Sequence, residues 1–292
     1  MESGELVLSS TALDVIVLPK VGGKLRQIVD KRTGDTLLVS PQKPYRQIPL
    51  GSEWTNYDTS GMDDCFPNIE PGEYPFPSWQ GKQLFQMGEW VYGQWEVERA
   101  DDEVLTLERN GTSFDYHVRK TYRLVDANTL EIQYAVESLS DLPFRYLWSA
   151  HSLFAVKDEF ELRIPKGDTT FTTFPRQKDV YRWPIYGSID LSTRWIPRGD
   201  TLKIFLSGLS EGECNLAFSE HNISITFDLT TTPILGVWFN NFGFPESENP
   251  FRCIALEPCT SPSDVLGDLG ESGYALLKPY DTNRWRIRIR VD

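Results

Sequence analysis

The stretch RWRIRIRV at residues 284–291 alternates strictly between arginine and an apolar residue. Because side chains of a β-strand point alternately to its two faces, Trp285 and Val291 lie on one face and the arginines on the other. We interpret the arginine stripe as a solvated strand face rather than a phosphate site. The same period predicts strands over 13–18, 103–108, 129–137, 222–229 and 234–239.

Helical periodicity is nearly absent from the rest of the chain. One short helix is predicted over Ser263–Leu269, where a serine could cap the first turn. Turn-forming residues recur between the strands, and such a pattern favours a sandwich or barrel over alternating strands and helices. We therefore predict an all-β fold in which residues 1–292 form one domain. The long segment 41–88 is rich in proline, glycine and aromatics, and a connection of that length is usually functional.

Composition narrows the choice of partners. The chain has 292 residues and a formal net charge of −13. This charge disfavours nucleic acid and anionic membranes, both of which attract basic surfaces. No apolar run approaches the length of a membrane span and the N-terminus lacks a signal pattern, so a cytoplasmic protein is expected. The 9 Trp, 12 Tyr and 16 Phe either fill a large core or offer stacking platforms for sugar rings.

Motifs for the commonest cofactors and mechanisms are missing. The four cysteines form no CxxC pair, and there is no GxSxG, HExxH, P-loop or GxGxxG pattern. Asp63 and Asp64 are adjacent acids on a loop-like stretch, which more often shape a turn than bind calcium. We expect no metal and no cofactor.

Two residues could carry acid–base chemistry. His151 follows the apolar run FRYLWSA and should be buried, either as a structural histidine or as a general acid. Glu257 ends the run CIALE, where alternation places it on the face of Cys253 and Ala255. A carboxylate there is either a strand-end group facing water or a general base with a perturbed pKa.

Five stretches, taken in order, resemble the galactose mutarotase-like (aldose 1-epimerase) superfamily. They read GGKLRQIVDKRTGDTLL at 22–38, SGMDDCFPNIEPGEYP at 60–75, WSAHSLF at 148–154, GVWFNNF at 236–242 with CIALEPCTSPSD at 253–264, and LLKPYDTNRWRIRIRV at 276–291. The resemblance implies an antiparallel β-supersandwich that holds a small carbohydrate in a cleft on one sheet. It implies no cofactor and leaves the oligomeric state open.

The resemblance also implies the roles of individual residues. Glu257 would be the base that takes the proton of the anomeric hydroxyl, and His151 the acid that protonates the ring oxygen. The sugar-facing residues implied in addition are Asp64, Trp238, Trp148, Gln86 and Arg145, although Trp238 and Trp148 suit core packing equally well. The expected function is interconversion of the α and β anomers of an aldose or a hexose phosphate.

One position departs from the superfamily pattern. Its members usually carry a second histidine before a glycine, and here Met87 stands before Gly88, so that Gln83 or Gln86 would have to donate the missing hydrogen bond. This departure opens the alternative of a non-catalytic carbohydrate-binding or regulatory protein on the same fold. A phosphorylated substrate would need basic residues near the cleft, for which the candidates are Arg46, Arg145 and Arg176.

Overall fold

The protein is described by a computed structural model over residues 4–156, 159–175, 179–219, 221–246 and 249–292. Arg176 lies outside these ranges. The strands are β1 (Leu6–Ser9), β2 (Leu13–Leu18), β3 (Lys24–Asp30), β4 (Asp35–Thr36), β5 (Met62–Cys65), β6 (Gly72–Glu73), β7 (Gln83–Leu84), β8 (Glu96–Ala100), β9 (Val104–Asn110), β10 (Tyr116–Asp126), β11 (Thr129–Ser138), β12 (Phe144–Tyr146), β13 (Ser149–Ala155), β14 (Glu161–Arg163), β15 (Thr170–Phe174), β16 (Tyr181–Arg182), β17 (Ile185–Tyr186), β18 (Ile189–Asp190), β19 (Thr201–Ser207), β20 (Glu213–Ala217), β21 (Asn222–Phe227), β22 (Ile234–Asn241), β23 (Arg252–Cys259), β24 (Ala275–Leu277) and β25 (Thr282–Val291).

These strands form two large antiparallel sheets. The larger has 11 strands in the order β1-β2-β3-β5-β13-β23-β22-β19-β15-β16, with β4 beside β3. The smaller has 8 strands in the order β14-β20-β21-β25-β11-β10-β9-β8. Three pairs of short strands complete the sheet structure: β12 with β24, β17 with β18, and β6 with β7. The predicted all-β fold is confirmed.

Helical structure in the described residues is limited to three 3-10 turns, Trp54–Asn56, Pro77–Trp79 and Glu271–Gly273. None has the length or the apolar character needed to cross a membrane. The helix predicted over 263–269 is wrong, because this stretch consists of bends and turns. The Ser263 hydroxyl accepts from the Val265 N–H and donates to Asp268, and Gly267 has a φ of +113°, so local hydrogen bonds and a left-handed residue replace the helix.

The last strand follows its sequence pattern. β25 lies between β21 and β11 in the smaller sheet, and its apolar residues are buried while its arginines point to solvent. The side chains of Arg286 and Arg290 are 58% and 57% exposed, which confirms a solvated face. Trp285 lies at the start of the apolar row and stacks on Tyr134 of β11 at 5.3 Å between ring centroids. Aromatic packing of this kind fills the layer between the sheets.

The side chains of strand β23 alternate between the two faces of the larger sheet. Ile254 and Leu256 join the main core between the sheets, whereas Cys253 and Ala255 belong to a smaller apolar cluster on the opposite face. Because successive residues alternate, Glu257 shares the face of Cys253 and Ala255. The predicted alternation is therefore confirmed, and it turns Glu257 away from the smaller sheet.

A buried carboxylate joins the two sheets through polar contacts. Asp64 on β5 accepts from the Lys120 ammonium at 2.9 Å, the Tyr134 hydroxyl at 2.8 Å and the Trp148 indole at 3.2 Å. Burial lowers the pKa of Lys120, but the Asp64 carboxylate and the Tyr122 phenol together outweigh burial and the net shift is upward, so the amine stays charged. Burial also raises the pKa of Tyr134 well above its ordinary value, which keeps the phenol a donor. Both oxygens of Asp64 are thus satisfied.

Asp64→Ala should destabilise the protein by about 3–5 kcal/mol, because it leaves the Lys120 ammonium buried without its counter-ion. Urea unfolding followed by tryptophan fluorescence measures the change in the free energy of unfolding. Glu161→Ala is the matched control, since the Glu161–Arg163 pair is about half exposed and should contribute under about 1 kcal/mol. Equal midpoints for the two variants would contradict an inter-sheet role for Asp64.

Candidate active site

His151 and Glu257 meet on the face of the larger sheet that points away from the smaller one. In the antiparallel pairing of β13 with β23, Ser152 lies opposite Leu256 and Leu153 opposite Ala255, so the register continues with His151 opposite Glu257. The His151 Nε2 atom lies 4.0 Å from the Glu257 Oε1 atom. Two residues far apart in the sequence are therefore neighbours on one sheet.

The two oxygens of Glu257 have different surroundings. Oε2 accepts from the Lys203 ammonium at 2.7 Å and from the Ser149 hydroxyl at 2.9 Å. Oε1 is buried and has no hydrogen-bond partner among the described residues. Burial raises the pKa of Glu257, but the charges of Lys203 and His151 and the donated hydrogen bonds outweigh it and lower the pKa below its ordinary value. Glu257 is therefore ionised and keeps one basic oxygen unoccupied.

His151 is held between aromatic rings. The Trp54 ring lies edge-on at 5.9 Å between centroids, and the Trp238 ring lies tilted at 6.0 Å. Burial lowers the pKa of His151 below its ordinary value of 6.5, and the nearby Glu257 carboxylate offsets part of this effect. The Nδ1 atom is buried without a hydrogen-bond partner in the part of the chain that is described. The unliganded histidine is therefore mainly neutral at neutral pH.

Gly236 has no side chain, and this leaves the space in which the side chains of Glu257 and Lys203 meet. Gly236 of β22 pairs with Glu257 of β23 on one side and with Phe205 of β19 on the other. A Cβ atom at Gly236 would lie 3.2 Å from the Cβ of Glu257, closer than side chains normally pack. Lys203 enters from the position opposite Trp238, crosses β22 and reaches the carboxylate of Glu257.

Access to the pair is restricted. Glu257 is fully buried and His151 is only 8% exposed. Trp54, from the first 3-10 turn, covers the histidine, and its backbone N–H donates to the side-chain oxygen of Gln86. The Trp54 Nε1 atom is also buried without a partner among the described residues. A sugar ring cannot fit into the present gap, so a ligand has to displace part of this cover.

A cavity of about 300 Å³ lies beside the segment that carries Trp54. It lies between residues 42–59 and the loop that follows β22. Phe244 connects the cavity to the pair, because its ring stacks on Trp54 at 6.3 Å and meets the cavity-lining Phe251 at 6.1 Å. The cavity is lined by Gln42, Lys43, Thr55, Tyr57, Thr59, Pro245, Asn249 and Phe251.

The predicted sugar-facing residues fall into two groups. Trp238 contacts His151 directly, and Gln86 contributes indirectly through its hydrogen bond to Trp54. Asp64 and Trp148 instead lie in the layer between the sheets and bond to each other. Arg145 on β12 pairs with Glu271 at 3.0 Å, and its contacts include no member of the His151–Glu257 pair.

Met87 occupies the position of the expected second histidine. It is buried, it has a left-handed φ of +62°, and its sulfur lies 4.0 Å from the thiol sulfur of Cys65. Cys65 of β5 lies opposite Ser149 of β13, which is two residues before His151 on the same strand. Met87 therefore presents a thioether where a second imidazole is expected, and it cannot take part in proton transfer.

Three contributors to the site are not among the sequence-predicted residues: Trp54, Ser149 and Lys203. Lys203 carried a usable signal, because a lysine inside the apolar strand TLKIFLS is costly to bury without a carboxylate partner. Ser149 shares the face of His151 by alternation. Trp54 lies in the long segment 41–88, where no periodicity fixes which side chains face the sheet.

No protein-family model matches the chain, and no curated protein sequence matches it. The chain does, however, match several solved structures. A putative aldose 1-epimerase from Escherichia coli K12 is 16% identical with a TM-score of 0.74, over 99% of this chain and 98% of that one. A galactose mutarotase-like protein from Lactobacillus casei is 17% identical with a TM-score of 0.74, over 99% of this chain and 100% of that one. A GalM/aldose epimerase homologue from Caenorhabditis elegans is 15% identical with a TM-score of 0.71, over 99% of both chains.

These likenesses span the whole chain at low sequence identity. The protein therefore has the galactose mutarotase-like fold, as the five sequence stretches predicted. At this identity the similarity establishes the fold and leaves the chemistry to the residues present in the site.

Replacement Glu257→Gln should lower the pKa of His151 further, since the variant loses the negative charge that stabilises the imidazolium. Long-range ¹H–¹⁵N correlation spectra of the imidazole rings, recorded from pH 4 to 8, follow this titration. The signals of His117 and His221 serve as internal references. An upward or absent shift of the His151 titration would contradict the observed proximity of the two groups.

Proposed function

We propose that the protein interconverts the α and β anomers of a small carbohydrate at the His151–Glu257 pair. The supporting observation is the 4.0 Å separation of Nε2 and Oε1 on the outward face of a galactose mutarotase-like sheet, with Oε1 buried and not hydrogen-bonded to another described residue. An acid and a base that both face one gap suit a reaction that removes one proton and adds another on the same molecule.

In this mechanism Glu257 Oε1 accepts the proton of the anomeric hydroxyl. The C1–O5 bond breaks as the C1–O1 bond becomes a carbonyl, and protonated His151 gives its Nε2 proton to O5. Rotation about the C1–C2 bond presents the other face of the aldehyde. Return of both protons closes the ring as the opposite anomer, so atoms and charge balance without a co-reactant.

Aromatic side chains suit the binding of the sugar ring. Trp238 is half-buried next to His151, and the Trp54 ring lies edge-on to the same histidine. The apolar C–H face of a pyranose packs on such rings while its hydroxyls seek hydrogen-bond partners. The unpartnered Trp54 Nε1 donor and Glu257 Oε1 acceptor would both gain partners from a bound sugar.

Glu257→Gln should reduce anomer exchange by roughly 10²–10⁴-fold, because the amide cannot take the hydroxyl proton. Saturation-transfer NMR on a panel of free and phosphorylated aldoses measures the exchange rate directly. The control is Glu161→Gln, an exposed glutamate of the same chain. Wild-type exchange in a folded Glu257→Gln protein would rule out the assigned base.

The exchange rate should have its maximum on the acid side of neutrality. The active form needs Glu257 ionised and His151 protonated, and the pKa values of both groups lie below their ordinary values of 4.5 and 6.5. The protonated fraction of His151 therefore falls as the pH rises through and above 6.5. We expect kcat/KM, corrected for buffer-catalysed exchange, to fall steadily between pH 6.5 and 8, and a rise over this range would contradict His151 as the acid.

Met87 favours a second candidate function, a carbohydrate-binding or regulatory protein without turnover. Its thioether supplies no proton where a second imidazole is expected, and the closed cover over Glu257 restricts access. Titration calorimetry with the same sugar panel separates the two functions. Binding without exchange above the buffer rate selects the second candidate, and exchange at catalytic rates selects the first.

A further inference from the structure

We infer that Lys203 is a positioning residue for Glu257: its ammonium fixes the Oε2 atom, so that Oε1 alone serves as the base. This inference rests on the proposed function and extends it to a residue outside the acid–base pair. Lys203 does not touch the gap between Oε1 and His151 in any described contact. It acts through the carboxylate that it binds.

The first argument is the asymmetry of the Glu257 carboxylate. Both donors that reach it, Lys203 at 2.7 Å and Ser149 at 2.9 Å, bond to Oε2. A carboxylate with one oxygen held by two donors cannot rotate without breaking both hydrogen bonds. Oε1 is therefore held toward His151, and its orientation is set before a substrate arrives.

The second argument is that the local structure accommodates the lysine specifically. Lys203 is 8% exposed and lies in a strand of apolar residues, where an unpaired ammonium would be strongly destabilising. Gly236 keeps the sheet surface between the two residues open, since a Cβ there would press on the Cβ of Glu257. Apolar packing alone would need neither the lysine nor the glycine.

The third argument is a second carboxylate on the same amine. Asp264, in the turn after β23, has its Oδ1 atom 3.2 Å from the Lys203 Nζ atom. Burial raises the pKa of Asp264 and Lys203 offsets part of that effect, so that the net pKa is about 6. Because the ammonium is shared between two carboxylates, it holds Glu257 in place but lowers the pKa of Glu257 less than it would as an exclusive partner. The other titratable groups that act on this cluster are His151, Glu70, Asp63, Lys24, Cys65, Cys253 and Cys259.

Proton transfer makes use of this arrangement. When Oε1 takes the anomeric proton, Glu257 becomes neutral and Oε2 becomes its carbonyl oxygen. The Lys203 ammonium still donates to that oxygen, so no side chain has to move during the step. Removal of the lysine charge should therefore affect kcat more than KM.

The experiment compares Lys203→Gln, which removes the charge, with Lys203→Arg, which retains it. The protein is labelled with ¹³C at the glutamate side-chain carboxyl, and the Glu257 signal is assigned by difference from Glu257→Gln. We expect the Glu257 titration to move to higher pH in Lys203→Gln and to stay below the ordinary glutamate range in Lys203→Arg. In exchange assays, kcat should fall on the order of tenfold or more in Lys203→Gln, with the acid limb of its pH profile moved upward.

Asp264→Asn provides a second variant if Lys203→Gln does not fold. It removes the competing carboxylate and keeps the lysine, so the Glu257 titration should move to lower pH. A merely structural lysine would lower the unfolding temperature and leave kcat and KM of the folded variants unchanged, even though loss of its charge moves the Glu257 titration, and that result would overturn the inference. Absence of exchange in the wild-type protein would instead refute the proposed function, while the carboxyl titration would still show whether the Lys203 charge controls the ionisation of Glu257.

Discussion

A carboxylate inside a protein needs donors for its oxygens, and two of the carboxylates that the larger sheet buries, Asp64 and Glu257, lie on its opposite faces. Asp64 points toward the smaller sheet and has three donors distributed over both oxygens. Glu257 points the other way and has two donors on one oxygen and none on the other among the described residues. The complete set of donors explains Asp64 as a connection between the sheets. The incomplete set marks Glu257 as the group with a remaining hydrogen-bonding capacity that a ligand can use.

Much of the fold follows from period two in the sequence. The strands at 129–137 and 284–291 pair side by side, and the apolar face of each meets the same core. The sequence RWRIRIRV is sufficient to tell which residues face water, because every second side chain is charged. The turn at 263–269 was not predictable in this way, since it depends on a hydrogen bond from Ser263 to Asp268 and on contacts with the segment 69–70.

The same reasoning predicts the residues of the site only in part. Period two places Trp148 and His151 on opposite faces, because they are three residues apart, so Trp148 was predictable as a core residue. For Asp63 and Asp64 the pattern requires opposite faces but does not say which acid faces the smaller sheet, and the register of β5 decides this. Lys203 and Glu257 become neighbours only through the pairing of three strands, which no local pattern contains.

The distance between His151 and Glu257 limits what the present conformation can do. At 4.0 Å, Nε2 and Oε1 are too far apart for a hydrogen bond and too close for a sugar to lie between them. Oε2 is fixed by Lys203 and Ser149, whereas His151 is bounded by rings that make no hydrogen bond to it. The carboxylate is therefore the fixed element, and the histidine together with Trp54 is the part that has to yield. A ligand would exchange the contact of Trp54 with His151 for its own ring, and at the same time provide partners for Trp54 Nε1 and Glu257 Oε1.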